Sequence, residues 1–232
     1  MGKNKNPERR KKILNENFEL KHIEPKTETQ EKVFHSYFSG QHQLLYGVAG
    51  TGKTFISLYL SLSDLFRDLT ERVIIVRSIV PTRDVGFLPG TIAEKMAMYE
   101  VPYRDMFAEL FGRGDAYDIL KRKGVVEFIS TSHLRGVTLR NCIVIVDEIQ
   151  NLTFHEADSV ITRAGENCRF IFAGDYRQSD FIKTGDKNGV LDFMKIISRM
   201  SCFDSLEFQI RDIVRNALIK DYILQKMSLN IS

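Results

Sequence analysis

Twelve residues, LLYGVAGTGKTF at 44–55, constrain this chain more than any others. An apolar run ends at Gly47, Gly52-Lys53-Thr54 follows, and a helical pattern begins there. The spacing G-x-x-x-x-G-K-[ST] between a strand and a helix is that of a phosphate cradle. Its glycines let backbone N–H groups turn inward. The N-terminus of the following helix adds partial positive charge. Gly47, Ala49, Gly50, Thr51, Gly52 and Phe55 are expected to form the cradle for ATP. Lys53 should reach the β- and γ-phosphates, and Thr54 should ligate Mg²⁺.

The rest of the chain alternates in the way such a loop requires. Strands are expected at 42–47, 72–77, 125–130, 142–147 and 169–174, with a further one at 204–208. Helices are expected at 26–40, 53–66, 91–111, 115–122, 153–165, 189–200 and 211–227. Continuous apolar runs such as RVIIVR suit a parallel sheet covered on both faces. Strands alternating with helices predict one α/β domain with right-handed crossovers. The segment SIVPTRDVGFLPG at 78–90 is a loop by its prolines and glycines.

A triphosphate site also needs a metal-side carboxylate and a group to orient water. The run CIVIVDEIQN supplies both at the C-terminal end of a buried strand, where open α/β sheets bind ligands. Asp147 is the candidate Mg²⁺ carboxylate and Glu148 the candidate water-polarising residue. The next strand ends in AGDYRQ, which places Asp175, Arg177 and Gln178 at the same rim. Gln178 is a candidate sensor of the γ-phosphate; its alternative is an ordinary turn residue.

Charge is uneven. Residues 1–12 carry +5 and the remainder −2, so basicity belongs to a tail and not to the fold. Residues 1–24 read as a basic, disordered tail ahead of a domain at 25–232. No apolar run approaches the ~20 residues that span a bilayer, and the N-terminus lacks the apolar stretch of a secretory signal. A membrane partner is therefore not expected, and the cytoplasm is the expected compartment. The three cysteines lack metal-ligand spacing and read as core thiols.

The DEIQN and GDYRQ segments resemble two motifs of superfamily 1 helicases, and Gln30 in ETQ resembles their adenine-reading glutamine. With VRSIVPTRDVGFLPGTIAEKM, LRGVTLRNCIVIVDEIQN, ITRAGENCRFIFAGDYRQSDF and RDIVRNALI, the chain resembles the PhoH family over about residues 25–222. That resemblance implies a P-loop NTPase with one RecA-like parallel sheet flanked by helices on both faces. Ile149 stands where the family usually has alanine, and Asn216 where it often has histidine. The resemblance further implies homo-oligomers, hexameric rings among them, and contact with single-stranded RNA or DNA. Helicases complete the ATP site with an arginine from a second RecA-like domain. Here either the chain hydrolyses slowly alone or a neighbouring subunit supplies the arginine; Arg163, placed first, Arg135 and Arg215 are the candidates. Arg77, Arg83 and Phe87 are candidate nucleic-acid contacts; the equal alternative is that this segment is a rigid Pro/Gly connection holding the helix behind it. The stripe Tyr99, Tyr103, Phe107 and Phe111 reads as core or subunit contact. No nuclease domain is expected ahead of the ATPase region.

Two functions stay open. One is an oligomeric ATPase, helicase-like in build, coupled to RNA or DNA. The other is a nucleotide-dependent switch that docks a protein and hydrolyses slowly. A small-molecule kinase fits the acidic motifs less well.

Overall fold

The computed structural model describes residues 18–79, 92–134, 136–176 and 189–229. The elements, in order, are α1 (Glu28–Phe38), β1 (His42–Gly47), α2 (Lys53–Phe66), β2 (Arg72–Arg77), α3 (Ile92–Phe111) and α4 (Ala116–Arg122). Then come β3 (Val126–Ser130), β4 (Cys142–Asp147), α5 (Phe154–Ile161), β5 (Cys168–Gly174), α6 (Val190–Ile197), β6 (Phe203–Phe208) and α7 (Ala217–Ser228). Strands β1, β2 and β4 have the predicted bounds, because each is an apolar run closed by polar or glycine residues.

The six strands form one sheet in the order β3-β2-β4-β5-β1-β6, and every pairing is parallel. The alternation of side chains along each strand makes two cores. Leu45, Val73, Ile75, Ile143, Ile145 and Ile171 join residues of α1, α2, α3 and α4 on one face. Leu44, Ile74, Val76, Val144, Val146 and Phe172 join α5 and α6 on the other. Helices thus cover both faces, as the continuous apolar strands require.

This strand order positions the site. β5 lies between β1, which carries the glycine loop, and β4, which carries Asp147. The C-terminal ends of β1, β5 and β4 are therefore consecutive along one rim. Gly174 ends β5 where a Cβ would come within 2.4 Å of Ile149 Cγ1, so the turn after β4 can lie against it. Gly47 is equally constrained: its φ is 120°, and a Cβ would meet the Phe208 carbonyl oxygen at 2.1 Å.

Three expectations need correction. Residues 18–23 fall within the expected tail, yet Phe18, Leu20 and Ile23 pack on the first core. Phe18 sits edge-on to Phe111 at 5.4 Å, and Lys21 N–H donates to Leu110 O at 2.9 Å. The helix expected over 211–227 begins only at Ala217. Before it, Ile210–Asp212 is a 3₁₀ turn. Asp212 accepts from Gln209 N–H at 2.8 Å and from the Thr29 hydroxyl at 3.0 Å. That capture holds the segment in a turn instead of a helix. The helix expected over 153–165 stops at Ile161, because Ala164 bridges to Leu139 ahead of β4.

The cysteines also divide differently. Cys142 is buried but Cys202 is exposed. Cys142 and Cys168 pair in register on adjacent strands, with their sulfurs 3.8 Å apart.

Phe18→Ala removes half-buried aromatic area from the core. The expected cost is about 1–2 kcal/mol, read as a drop of several degrees in thermal midpoint. An unchanged midpoint would return these residues to the tail.

Candidate functional site

The cradle is built by backbone conformation. Gly47, Gly50 and Gly52 all have positive φ, and α2 starts at Lys53 directly after left-handed Gly52. Inside the loop the Thr51 hydroxyl donates to Val48 O at 3.0 Å. Lys53 is buried, and its Nζ donates to Val48 O at 2.8 Å and pairs with Asp175 Oδ1 at 2.9 Å. Burial pushes the Lys53 ammonium down from its usual range, while Asp175 and Asp147 oppose that shift.

The loop is braced from outside by two remote segments. Gln30, buried on α1, donates from Nε2 to Thr51 O at 3.0 Å and accepts from Lys26 N–H at 2.7 Å. Val214 N–H donates to Gly50 O at 3.2 Å. The next residue, Arg215, lays its Cγ 3.0 Å from where a Gly50 Cβ would stand. Only glycine accommodates both the positive φ and that side chain at position 50.

Across the rim, the Thr54 hydroxyl donates to Asp147 Oδ1 at 2.8 Å. The Tyr103 hydroxyl donates to Asp147 Oδ2 at 2.8 Å. Burial pushes the Asp147 carboxyl up, and these hydrogen bonds pull it back. Glu148 has φ 52° and ψ 51°, a left-handed conformation that costs a non-glycine residue roughly 1–3 kcal/mol. Its carboxylate pairs with Arg77 at 2.9 Å and accepts from Asn151 Nδ2 at 2.9 Å. Burial raises the Glu148 carboxyl, Arg77 lowers it, and Asp147 and Asp175 raise it further. Gln150 links the two strand ends by accepting from Asp175 N–H at 3.0 Å.

Of the residues singled out from sequence, Gly50, Thr51, Gly52, Lys53, Thr54, Phe55, Asp147 and Glu148 line one cleft. Gly47 and Ala49 belong to the loop but not to the cleft lining. Gln30 lies beneath the loop, with both amide atoms engaged by protein. Arg163 stands at the opposite end of the sheet: its carbonyl accepts from Leu139 N–H, just ahead of β4. Among the described residues the buried Arg163 Nε has no hydrogen-bond partner. Gln178, Arg177, Arg135, Arg83 and Phe87 lie outside the described residues.

Sequence reasoning does not assign Gln150, Tyr103, Pro102 or Met106 to this cleft. Gln150, Pro102 and Met106 line it, and Tyr103 reaches it through Asp147. Gln150 was within reach of sequence reading, sitting two residues past Glu148. Arg215 reads from sequence only as a group donated to a neighbour, yet it lines the cleft of its own chain.

The donor set fits Mg²⁺. A hydroxyl and a carboxylate oxygen meet at 2.8 Å beside the loop, and Mg²⁺ is bound through one or two carboxylates with substrate phosphates completing its shell. Among the described residues no group of three or more His, Cys, Asp or Glu could hold a metal by itself. No described helix is long and apolar enough to cross a membrane.

Comparison with known proteins agrees with this geometry. A family model described as "PhoH-like protein" matches residues 22–226. Protein PhoH of Escherichia coli K12 is 35% identical over 174 residues, covering 74% of this chain and 49% of that protein. The PhoH-like protein of Bacillus subtilis 168 is 30% identical over 186 residues, covering 79% and 58%. The chain thus spans about half the length of the curated relatives it matches. Among solved structures, the large terminase of a thermophilic bacteriophage superposes with a TM-score of 0.54 at 11% identity, covering 88% of this chain and 50% of that one. The helicase MrfA bound to DNA superposes at 0.50 with 13% identity, covering 90% and 30%. These two likenesses concern the fold alone, a parallel sheet covered by helices on both faces. By the family match over nearly its whole length, this chain belongs to the PhoH family.

Proposed function

We propose that this chain is an ATPase that works as an oligomer and couples hydrolysis to binding or remodelling of RNA or DNA. The observation that carries it is the contact between the Thr54 hydroxyl and Asp147, 93 residues apart and 2.8 Å from each other beside the buried Lys53. Thr54 with a strand-end carboxylate is the pair that holds Mg²⁺ on a bound triphosphate. Bound there, Mg²⁺ would neutralise charge developing on the β- and γ-phosphate oxygens.

The chain's own residues divide the remaining work. Loop N–H groups and Lys53 bind and orient the phosphates, Lys53 exchanging its pairing with Asp175 for phosphate oxygens. Glu148 aligns a water for in-line attack and accepts its proton. The left-handed backbone at Glu148 turns this carboxylate away from the strand direction and toward Arg77, and such strain is commonest at functional sites. Gln178 completes the γ-phosphate contacts. Gln30 acts in this reading by stiffening the loop.

Nucleic-acid coupling is supported by the family and by the helicase-like fold. A subunit neighbour supplying Arg163 is consistent with that residue's place at the far end of the sheet, since a head-to-tail interface brings unlike ends together. The second reading is a nucleotide-dependent switch that docks a protein and turns over slowly.

Lys53→Ala is expected to reduce ATP turnover by at least about 10²-fold. Glu148→Gln should keep ATP affinity within a few-fold and lose turnover to a similar degree; normal hydrolysis by that variant would remove Glu148 from its role. ATPase rates measured with and without poly(U) or single-stranded DNA should rise several-fold with nucleic acid. Indifference to every strand tried favours the switch. A solution mass equal to one chain, with full activity, excludes a donated arginine; otherwise Arg163→Ala should lower kcat by up to ~10³-fold.

A further inference from the structure

Tyr103 is fully buried on α3, with its ring 5.6 Å from that of Phe128. A core position of this kind asks only for a ring. Its hydroxyl, however, donates to Asp147 Oδ2 at 2.8 Å, while Thr54 donates to Oδ1 at 2.8 Å. Two donors from two helices therefore fix both oxygens of one carboxylate and the plane in which it lies. One turn earlier on α3, the Tyr99 ring lies 5.6 Å from the Arg77 guanidinium, and Arg77 pairs with Glu148. Helix α3 thus touches one acidic residue directly and the other through an arginine. It belongs to neither the glycine loop nor the strand-end motifs.

We propose that Tyr103 is a positioning residue for the metal-side carboxylate, holding Asp147 Oδ2 so that Oδ1 and the Thr54 hydroxyl converge on the cation. The proposal rests on reading Thr54 and Asp147 as the Mg²⁺ side of the site. A carboxylate held by one donor can rotate about its Cβ–Cγ bond; held by two, it cannot turn without breaking one of them. Partners of this kind, behind the metal ligands, typically set metal affinity by 10–100-fold.

The test compares the full chain with Tyr103→Phe, which keeps the ring and removes one oxygen. Mn²⁺ replaces Mg²⁺ as a paramagnetic probe and is titrated in the presence of the β,γ-imido analogue of ATP. Electron paramagnetic resonance reads the bound ion. Tyr103→Phe should bind Mn²⁺ about ten- to a hundred-fold more weakly. Binding of the same analogue in excess chelator should be unchanged within about twofold, since without metal the phosphates are held by loop N–H groups and Lys53 and not by Asp147. The Mg²⁺ concentration for half-maximal ATPase should rise in step.

Equal Mn²⁺ affinity in the two proteins overturns the proposal. So does an equal loss of metal-free nucleotide binding, which marks Tyr103 as a packing residue. If the unaltered chain binds no analogue at all, the reading of the site falls, and this proposal with it. If Tyr103→Phe does not fold, the double variant Tyr103→Phe/Asp147→Asn decides. Recovered folding shows that Tyr103 acts by holding the Asp147 Oδ2 oxygen, which Thr54 does not reach, and supports the proposal; failure to recover marks Tyr103 as a packing residue and overturns it.

Discussion

A single hydrogen bond, from the Thr54 hydroxyl to Asp147 Oδ1, joins the glycine loop to the acidic strand end. It exists because the sheet order places β5 between β1 and β4, and because Gly174 at the end of β5 lacks a Cβ. A side chain there would push Ile149 and Gln150 outward, and the turn bearing Glu148 would move with them. Asp175, the next residue, is then close enough to Lys53 to form the 2.9 Å ion pair. The pair is partly exposed on the aspartate side, so it adds little stability by itself. Its effect is local: it keeps a buried ammonium charged and aimed into the loop, against the desolvation that would otherwise favour its neutral form.

Much of this was legible in the sequence, and the reason differs by element. The bounds of β1, β2 and β4 are legible to the residue, since a buried parallel strand is an uninterrupted apolar run. The glycine loop and Asp147 stand out in the sequence because phosphate and metal chemistry tolerates few alternatives to such a pattern. Strand order was not legible. Nothing in the chain says that β6 pairs with β1 rather than β3, yet that pairing brings residues 209–215 over the loop. The same contact ends the helical reading of 211–216. Asp212 is captured by Gln209 and Thr29, the latter 183 positions away, and local periodicity cannot register such a partner.

Tyr103 and Gln30 show how a correct local reading can miss a role. The four-residue spacing of Tyr99, Tyr103, Phe107 and Phe111 correctly predicts a helix with a buried face, and Phe107 and Tyr103 are fully buried. Spacing treats tyrosine and phenylalanine alike, however, and only the fold reveals that one hydroxyl ends on Asp147. Gln30 shows a structural part that the resemblance does not give. By resemblance it reads adenine; in the fold its amide is bonded to Thr51 O and Lys26 N–H. An amide with both ends taken by protein has one N–H left to offer a base.

The bracing contacts explain why a loop with so much glycine can hold one shape. Glycine loses more backbone freedom on ordering than any other residue, so a loop with glycines at 47, 50 and 52 would be the least rigid part of the chain if left alone. Here Gln30 holds Thr51 from α1, and Val214 holds Gly50 from the segment after β6. Thr29 and Asp212 then tie those two braces to each other at 3.0 Å. The loop is thereby clamped between the first helix and the last strand's exit, far apart in sequence. Arg215 follows Val214 directly, so the clamp that stiffens the phosphate cradle also sets the position of an exposed cation at its mouth. Any movement of the 209–215 segment must shift the loop's backbone and that charge together.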